Sequence, residues 1–173
     1  MKNASVARIT DGFPHATSGS IAPVKLYVRS VARRWQKEMS SASCSPQILS
    51  PYITPATANT VVLRASKNVC EIYTLFEAEV FANGASSLKT LKSFVENGHS
   101  VFHLPRLHAK VLLLPNQFAT IGSQNLTGAG THNKEASVAF ADEQTVKRIE
   151  ALLAPWLTER IEVTLEMIEV DRV

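Results

Sequence analysis

The stretch Arg106–Asn125, RLHAKVLLLPNQFATIGSQN, constrains the fold more than any other part of the chain. It holds two apolar runs, Arg106–Leu114 and Phe118–Ser123, separated by Pro115, Asn116 and Gln117, which suit a turn. Two such runs joined so closely predict a β-hairpin. Residues directly opposite in a hairpin share a face, and side chains alternate along each strand. Two registers are open. With Pro115 and Asn116 as the central turn residues, position 108 lies opposite 123 and 110 opposite 121, and His108, Lys110, Ser123 and Asn125 all point one way. With the turn centred on Asn116 alone, the two pairs fall on opposite faces. The first register is preferred because it gathers an imidazole, an ammonium, a hydroxyl and a carboxamide on one patch.

That set suits an anionic phosphodiester. Imidazole can act as a nucleophile toward phosphorus. Lysine supplies a point charge, and the amide and hydroxyl supply donors for the non-bridging oxygens. A buried carboxylate would hold the imidazole in one tautomer, and Glu135 lies a short loop away. No clustered carboxylates of the kind a two-metal nuclease needs accompany the patch. His99 and His103 stand four apart, but Gly98 and the strand-like Val101–Leu104 break the helix a metal pair would need, and no HExxH or CxxC motif is present. No metal or other cofactor is expected.

His108-Ala109-Lys110, then Gly122-Ser123-Gln124-Asn125, then Glu135, resembles the phospholipase D superfamily, in which HxK(x4)D precedes GSxN and a carboxylate follows the second strand. The likeness covers roughly Lys25 to Leu157 and is closest to the small single-motif nucleases of that superfamily. It implies an α/β layered domain, a central mixed β-sheet flanked by helices. It also implies that His108 attacks phosphorus to form a phosphohistidine. A second histidine protonates the leaving oxygen, Lys110 and Asn125 hold the non-bridging oxygens, Ser123 supports them, and Glu135 orients His108. The chain departs from the motif at its Asp, which falls at Pro115. That position lies five residues beyond Lys110, ~17 Å along a strand at ~3.3 Å per residue. It belongs to the turn, so its change should touch the turn more than the chemistry.

The remaining chain fits one α/β unit. Its 173 residues are 45% hydrophobic and 19% charged, which excludes a wholly disordered or collagen-like chain. Residues 1–22, rich in Ser, Thr, Gly and Ala, read as a flexible arm, and 23–173 as a single catalytic domain. Residues 24–39 read as one amphipathic helix, with Val24, Val28, Val31, Trp35 and Met39 on one face. Lys25, Arg29, Arg33 and Lys37 lie on the other, either a solvated face or a contact for phosphates, with Arg29 and Arg33 as the candidate substrate ligands. Gln47–Thr54 reads as a strand, Ala56–Arg64 as a short helix, Asn68–Phe76 as a strand, Ser86–Asn97 as a helix closed by Gly98, and Val101–Leu104 as a strand. The tail reads as a helix over Glu143–Leu157, kinked or restarted near Pro155, and an extended run Arg160–Val170. Trp35 and Trp156 occupy helical-face positions and read as core. His15 and His132 read as solvated, and Cys44 and Cys70 as small apolar fillers.

The expected function is metal-independent hydrolysis of nucleic-acid phosphodiesters, in DNA or RNA. The net charge is only +3, but the pI of about 9.0 leans toward such an anionic partner. The alternatives are hydrolysis of phospholipid or other small phosphodiesters, or a catalytically weak nucleic-acid-binding module. With one HxK and no internal repeat, the second histidine is expected from a homodimer. No apolar run approaches a membrane span and no secretory leader is evident, so a cytoplasmic location without stable membrane association is expected.

Overall fold

A computed structural model of the chain describes residues 24–170. The arm predicted over 1–22, with His15, lies outside the described residues. Eight strands form one mixed sheet: β1 (Lys25–Tyr27), β2 (Gln47–Leu49), β3 (Glu71–Thr74), β4 (Ser100–His103), β5 (Lys110–Leu114), β6 (Phe118–Gly122), β7 (Ser137–Phe140) and β8 (Ile161–Glu162). Their spatial order is β1-β7-β6-β5-β2-β3-β4-β8. β2, β3 and β4 run parallel, and the remaining neighbours are antiparallel. The helices are α1 (Ala32–Ser41), α2 (Pro55–Ala58), which runs on into a π turn at Asn59–Leu63, α3 (Ala78–Ala82), α4 (Leu88–Glu96), α5 (Glu143–Leu157) and α6 (Leu165–Val170).

β5 lies centrally and is buried on both faces, which is why KVLLL is a continuous apolar run rather than an alternating one. Leu112 and Leu114 join Ile48 and Phe118 against Trp35 and Met39 of α1 and Leu91 and Phe94 of α4. Val111 and Leu113 face the other way, against Val146, Ile149, Leu153 and Leu157 of α5. The helix ends follow local chemistry. The Ser87 hydroxyl accepts from the Thr90 N–H at 3.2 Å, Asp142 accepts from the Thr145 N–H at 2.7 Å, and Gly98 leaves α4 at φ 81°.

Several expectations change. Residues 24–39 are not one helix: Lys25–Tyr27 pairs antiparallel with Ser137–Ala139, and α1 begins only at Ala32. A sheet edge needs backbone partners, and that requirement overrides a helical period in a β-rich stretch. The basic stripe is broken with it, since Lys25 stands on a strand and Arg29 in the bend that follows. The tail is extended only at Ile161–Glu162 and then coils into α6. Pro155 neither ends nor restarts α5, which continues to Leu157.

The hairpin forms, but in the other register. Lys110 pairs with Gly122 and Leu114 with Phe118, leaving Pro115, Asn116 and Gln117 as the loop. Asn116 takes the left-handed conformation, φ 62°, which asparagine tolerates better than most residues, and the Gln117 N–H closes the turn on the Leu114 carbonyl at 2.9 Å. Pro115 therefore lies in the turn, at the opposite end of β5 from Lys110.

Candidate active site

Lys110 opens β5 and Gly122 closes β6, so the two meet at the end of the hairpin away from its turn. A regular continuation of this register would have separated Ser123 from Lys110. The β6–β7 ladder instead ends at the Gly122–Ser137 pair, and the Ser123 N–H takes the Ala136 carbonyl at 3.0 Å. The Ser123 hydroxyl then donates to the Glu135 carboxylate while accepting from the Ala136 N–H at 3.1 Å. Glycine is required at 122: a Cβ there would lie 2.6 Å from the Ala136 carbonyl oxygen.

Lys110 is 8% exposed, and its ammonium donates to the His108 carbonyl at 2.6 Å. Burial pulls this ammonium below its ordinary pKa, and the neighbouring Glu135 carboxylate opposes the shift. Glu135 is itself buried. Lys110 and Glu135 are thus both largely withdrawn from water, where an electrostatic interaction is stronger than in bulk solvent. Asn125 follows Ser123 by two residues, and its side-chain Oδ1 is buried with no hydrogen-bond partner. A buried polar group without a partner is unusual in a folded protein, and this one, an amide oxygen, is an acceptor open to a donor. His108 is exposed on the adjacent loop.

The structure thus brings Lys110, Ser123 and Glu135 together, with the His108 backbone attached through Lys110. The orientation of His108 by Glu135 is not seen as a hydrogen bond here: the carboxylate is engaged by Ser123 instead. Arg29 and Arg33 stand apart from this pocket. Both are exposed and line a groove of about 470 Å³ with Gln36, Thr131 and His132. Gln124 connects that groove to the pocket. Its side chain is buried, accepts from the Val31 N–H at 2.7 Å and donates to the Ser30 hydroxyl at 3.1 Å. The residue between Ser123 and Asn125 therefore caps α1 from across the fold, a role that its position in the sequence did not signal.

The Ser50–Thr57 stretch has an equally specific task. The Ser50 hydroxyl accepts from the Leu126 N–H at 2.9 Å, the Thr54 N–H donates to the Leu126 carbonyl at 3.1 Å, and the Thr57 hydroxyl donates to the Thr127 carbonyl at 2.7 Å. These bonds fix the segment just beyond Asn125. The rings of His99 and His103 are spoken for as well: their Nδ1 atoms accept from the Cys70 N–H at 3.1 Å and the Phe76 N–H at 3.0 Å. Among the described residues, no group of three or more His, Cys, Asp or Glu side chains is arranged to hold a metal ion. Cys70 is buried, and burial pushes its thiol up to about 11.

The two tryptophans diverge. Trp35 is core, its indole N–H donating to the Thr120 hydroxyl at 2.8 Å. Trp156 is 49% exposed, against expectation, and lines a groove with Arg106, Leu107, His108 and Glu159. Among the described residues no helix is long and apolar enough to cross a membrane.

Solved structures share this architecture. Nuc from Salmonella typhimurium, a phospholipase D family member, superposes with a TM-score of 0.66 at 16% identity, over 82% of this chain and 99% of that one. NucT from Helicobacter pylori gives 0.63 at 15% identity, over 82% and 99%. TrmBL2, an archaeal chromatin protein with a novel mode of DNA binding, gives 0.58 at 12% identity, over 83% and 55%. Among curated proteins no sequence matched. Residues 36–155 match the family described as the phospholipase D-like domain of cardiolipin synthase. This match spans strands β2 to β7 and the whole polar cluster, and with it the chain belongs to the phospholipase D superfamily.

Proposed function

We propose that the chain is a metal-independent phosphodiester hydrolase acting on nucleic acid, and that its working form is a homodimer. His108 is the nucleophile. Its imidazole nitrogen forms a bond to phosphorus as the bond to the leaving oxygen breaks. The second His108, from the partner copy, gives that oxygen its proton. Water then attacks the phosphohistidine, the P–N bond breaks, and the water's proton passes to the second histidine. Lys110 and Asn125 hold the non-bridging oxygens. Glu135 fixes Ser123 and keeps Lys110 charged.

The observation that carries this reading is the pair of buried, oppositely charged side chains Lys110 and Glu135, with the Ser123 hydroxyl on the carboxylate and the exposed His108 attached through its carbonyl to Lys110. Charge placed in advance of the reaction, in a poorly solvated site, is the largest single contribution in many enzymes. The exposed Arg29 and Arg33 favour a polyanion over a small diester.

The test is cleavage of single- and double-stranded DNA and RNA in excess EDTA, beside a phosphatidylcholine assay. Nucleic acid should be cut with chelator present, and a denaturing quench should trap a labelled oligonucleotide on the protein but not on His108→Ala. Label on His108→Ala would refute the nucleophile, loss of cleavage with EDTA and rescue by Mg²⁺ would refute the metal-free route, and choline release alone would move the substrate to lipid.

A further inference from the structure

Resting on the nucleic-acid reading above, we infer that the groove beside His108 is a subsite for one unpaired nucleotide, with Trp156 as its base-stacking platform. The groove measures about 380 Å³ and is walled by the Leu104–Ala109 loop on one side and by Trp156 and Glu159 on the other. That is the low end of the range for pockets that hold small organic molecules.

Trp156 is not needed for the core. The buried stripe of α5 takes Leu153 and Leu157 from its last turns and leaves Trp156 at the edge, half exposed. Its indole makes no hydrogen bond among the described residues, whereas that of Trp35 does. A large aromatic face held open beside a nucleophile can take the π-face of a base.

Arg106 supplies the matching cation. Its backbone is held left-handed, φ 59°, in the turn that the Leu107 N–H closes on the Leu104 carbonyl at 3.3 Å. A side chain with a Cβ rarely adopts this conformation, and such strain gathers at functional sites. The guanidinium rests on Glu159 at 3.1 Å, with the two side chains 84% and 56% exposed. An ion pair so exposed is a weak tether, and the guanidinium can exchange the carboxylate for a phosphate. One short loop therefore carries both the phosphate cation and, two residues on, the imidazole of His108. A base on Trp156 and a phosphate on Arg106 set the next phosphorus against that imidazole. A duplex keeps its bases inside the stack and cannot offer one to the indole, so this subsite selects single strands.

The experiment compares binding of a labelled twelve-nucleotide oligo-dT with a twelve-unit abasic strand of equal charge, by fluorescence anisotropy read before turnover. The unmodified chain should bind oligo-dT about tenfold more tightly than the abasic strand, within the range for one stacked base. Trp156→Ala should bring the two affinities together, and Trp156→Phe should restore most of the difference. Oligo-dT should also quench tryptophan fluorescence in the unmodified chain but not in Trp156→Phe, where only the buried Trp35 remains. Equal affinity for both strands in the unmodified chain would overturn the subsite, with no variant needed. Loss of binding to phosphatidylglycerol vesicles in Trp156→Ala, with both strands bound alike, would overturn it in favour of a lipid surface. Base discrimination without cleavage would uphold the subsite and sink the hydrolase reading, and cleavage without discrimination would do the reverse.

Discussion

Glu135 accepts a hydrogen bond from the hydroxyl of Ser123, twelve residues earlier in the chain, and the same carboxylate faces the ammonium of Lys110. One anion thus sits between a hydroxyl and a cation at the mouth of the hairpin. Neutralising it should leave Lys110 exposed to its desolvation cost without the opposing field, and so favour the uncharged amine. Glu135→Gln is expected to lower kcat more than it raises KM. Lys110→Ala should lower kcat by ~10²–10³, the usual loss when one stabilising donor is removed. Steady-state kinetics on a labelled oligonucleotide separate the two constants. A Lys110→Ala enzyme with unchanged kcat would remove the ammonium from the mechanism.

Restoring the family's acid by Pro115→Asp should change the rate by less than about twofold, the scale of an ordinary surface substitution. Position 115 stands in the turn beside Asn116, at the far end of β5 from Lys110. A large rise in kcat in that variant would mean that the turn communicates with the polar cluster.

This hairpin also marks what the sequence makes legible. Its two apolar runs and the Pro-Asn-Gln between them identify β5, β6 and the turn, and α4 is likewise legible through the apolar face of Leu88, Leu91 and Val95 and the closing Gly98. Register is a finer matter. A two-residue and a three-residue loop differ by one residue, both suit Pro-Asn-Gln, and a one-residue slip turns every side chain over. Ser123 and Lys110 share the Glu135 carboxylate because β6 stops at Gly122, under the close crossing of β7, which no local pattern encodes. β1 was hidden for the same reason: its partner, Ser137–Ala139, is more than a hundred residues away. Gln124 and Trp156 depend on what faces them, Val31 in one case and open groove in the other.

His99 ties stability to pH. Its Nδ1 accepts from the Cys70 N–H, and burial lowers its pKa from the ordinary 6.5. The folded ring therefore binds a proton less readily than the unfolded one. The stabilisation is complete above the unfolded pKa and is lost as pH falls from there through the lower folded value. Melting temperature should decline from about pH 7 to pH 5 more steeply in the unmodified chain than in His99→Asn, as scanning calorimetry would record. Parallel profiles would remove His99 from the acid sensitivity.

Arg29 and Arg33 test the reach of the substrate. They line one groove with His132, and Gln124 couples that groove to the active site through Ser30 and Val31. If a nucleic-acid backbone follows it, changing both arginines to Ala should weaken binding to every sequence alike. The slope of log K against log salt should flatten by about 0.7–0.9 for each phosphate that is no longer neutralised. Binding at graded salt gives the slope directly. An unchanged slope would return both residues to a solvated face.

The proposed assembly is motivated by the histidines. In-line displacement needs one group attacking phosphorus and another protonating the oxygen that leaves from the opposite side. The chain has one HxK sequence, and His99 and His103 are engaged by backbone N–H groups within the fold. His108, by contrast, is exposed. A two-fold contact would bring two His108 side chains to one phosphorus, with both copies of Lys110 and Asn125 lining a single pocket. In a mixed dimer of unmodified chain and His108→Ala, that pocket would lack either its nucleophile or its acid. Such a hybrid, made by co-expressing the two forms with different tags and purifying through both, should be nearly inactive. Two independent pockets would instead leave it close to half the activity of the unmodified dimer. Half-activity in the purified hybrid, or full activity in a species that sediments as a monomer, would therefore overturn the shared site.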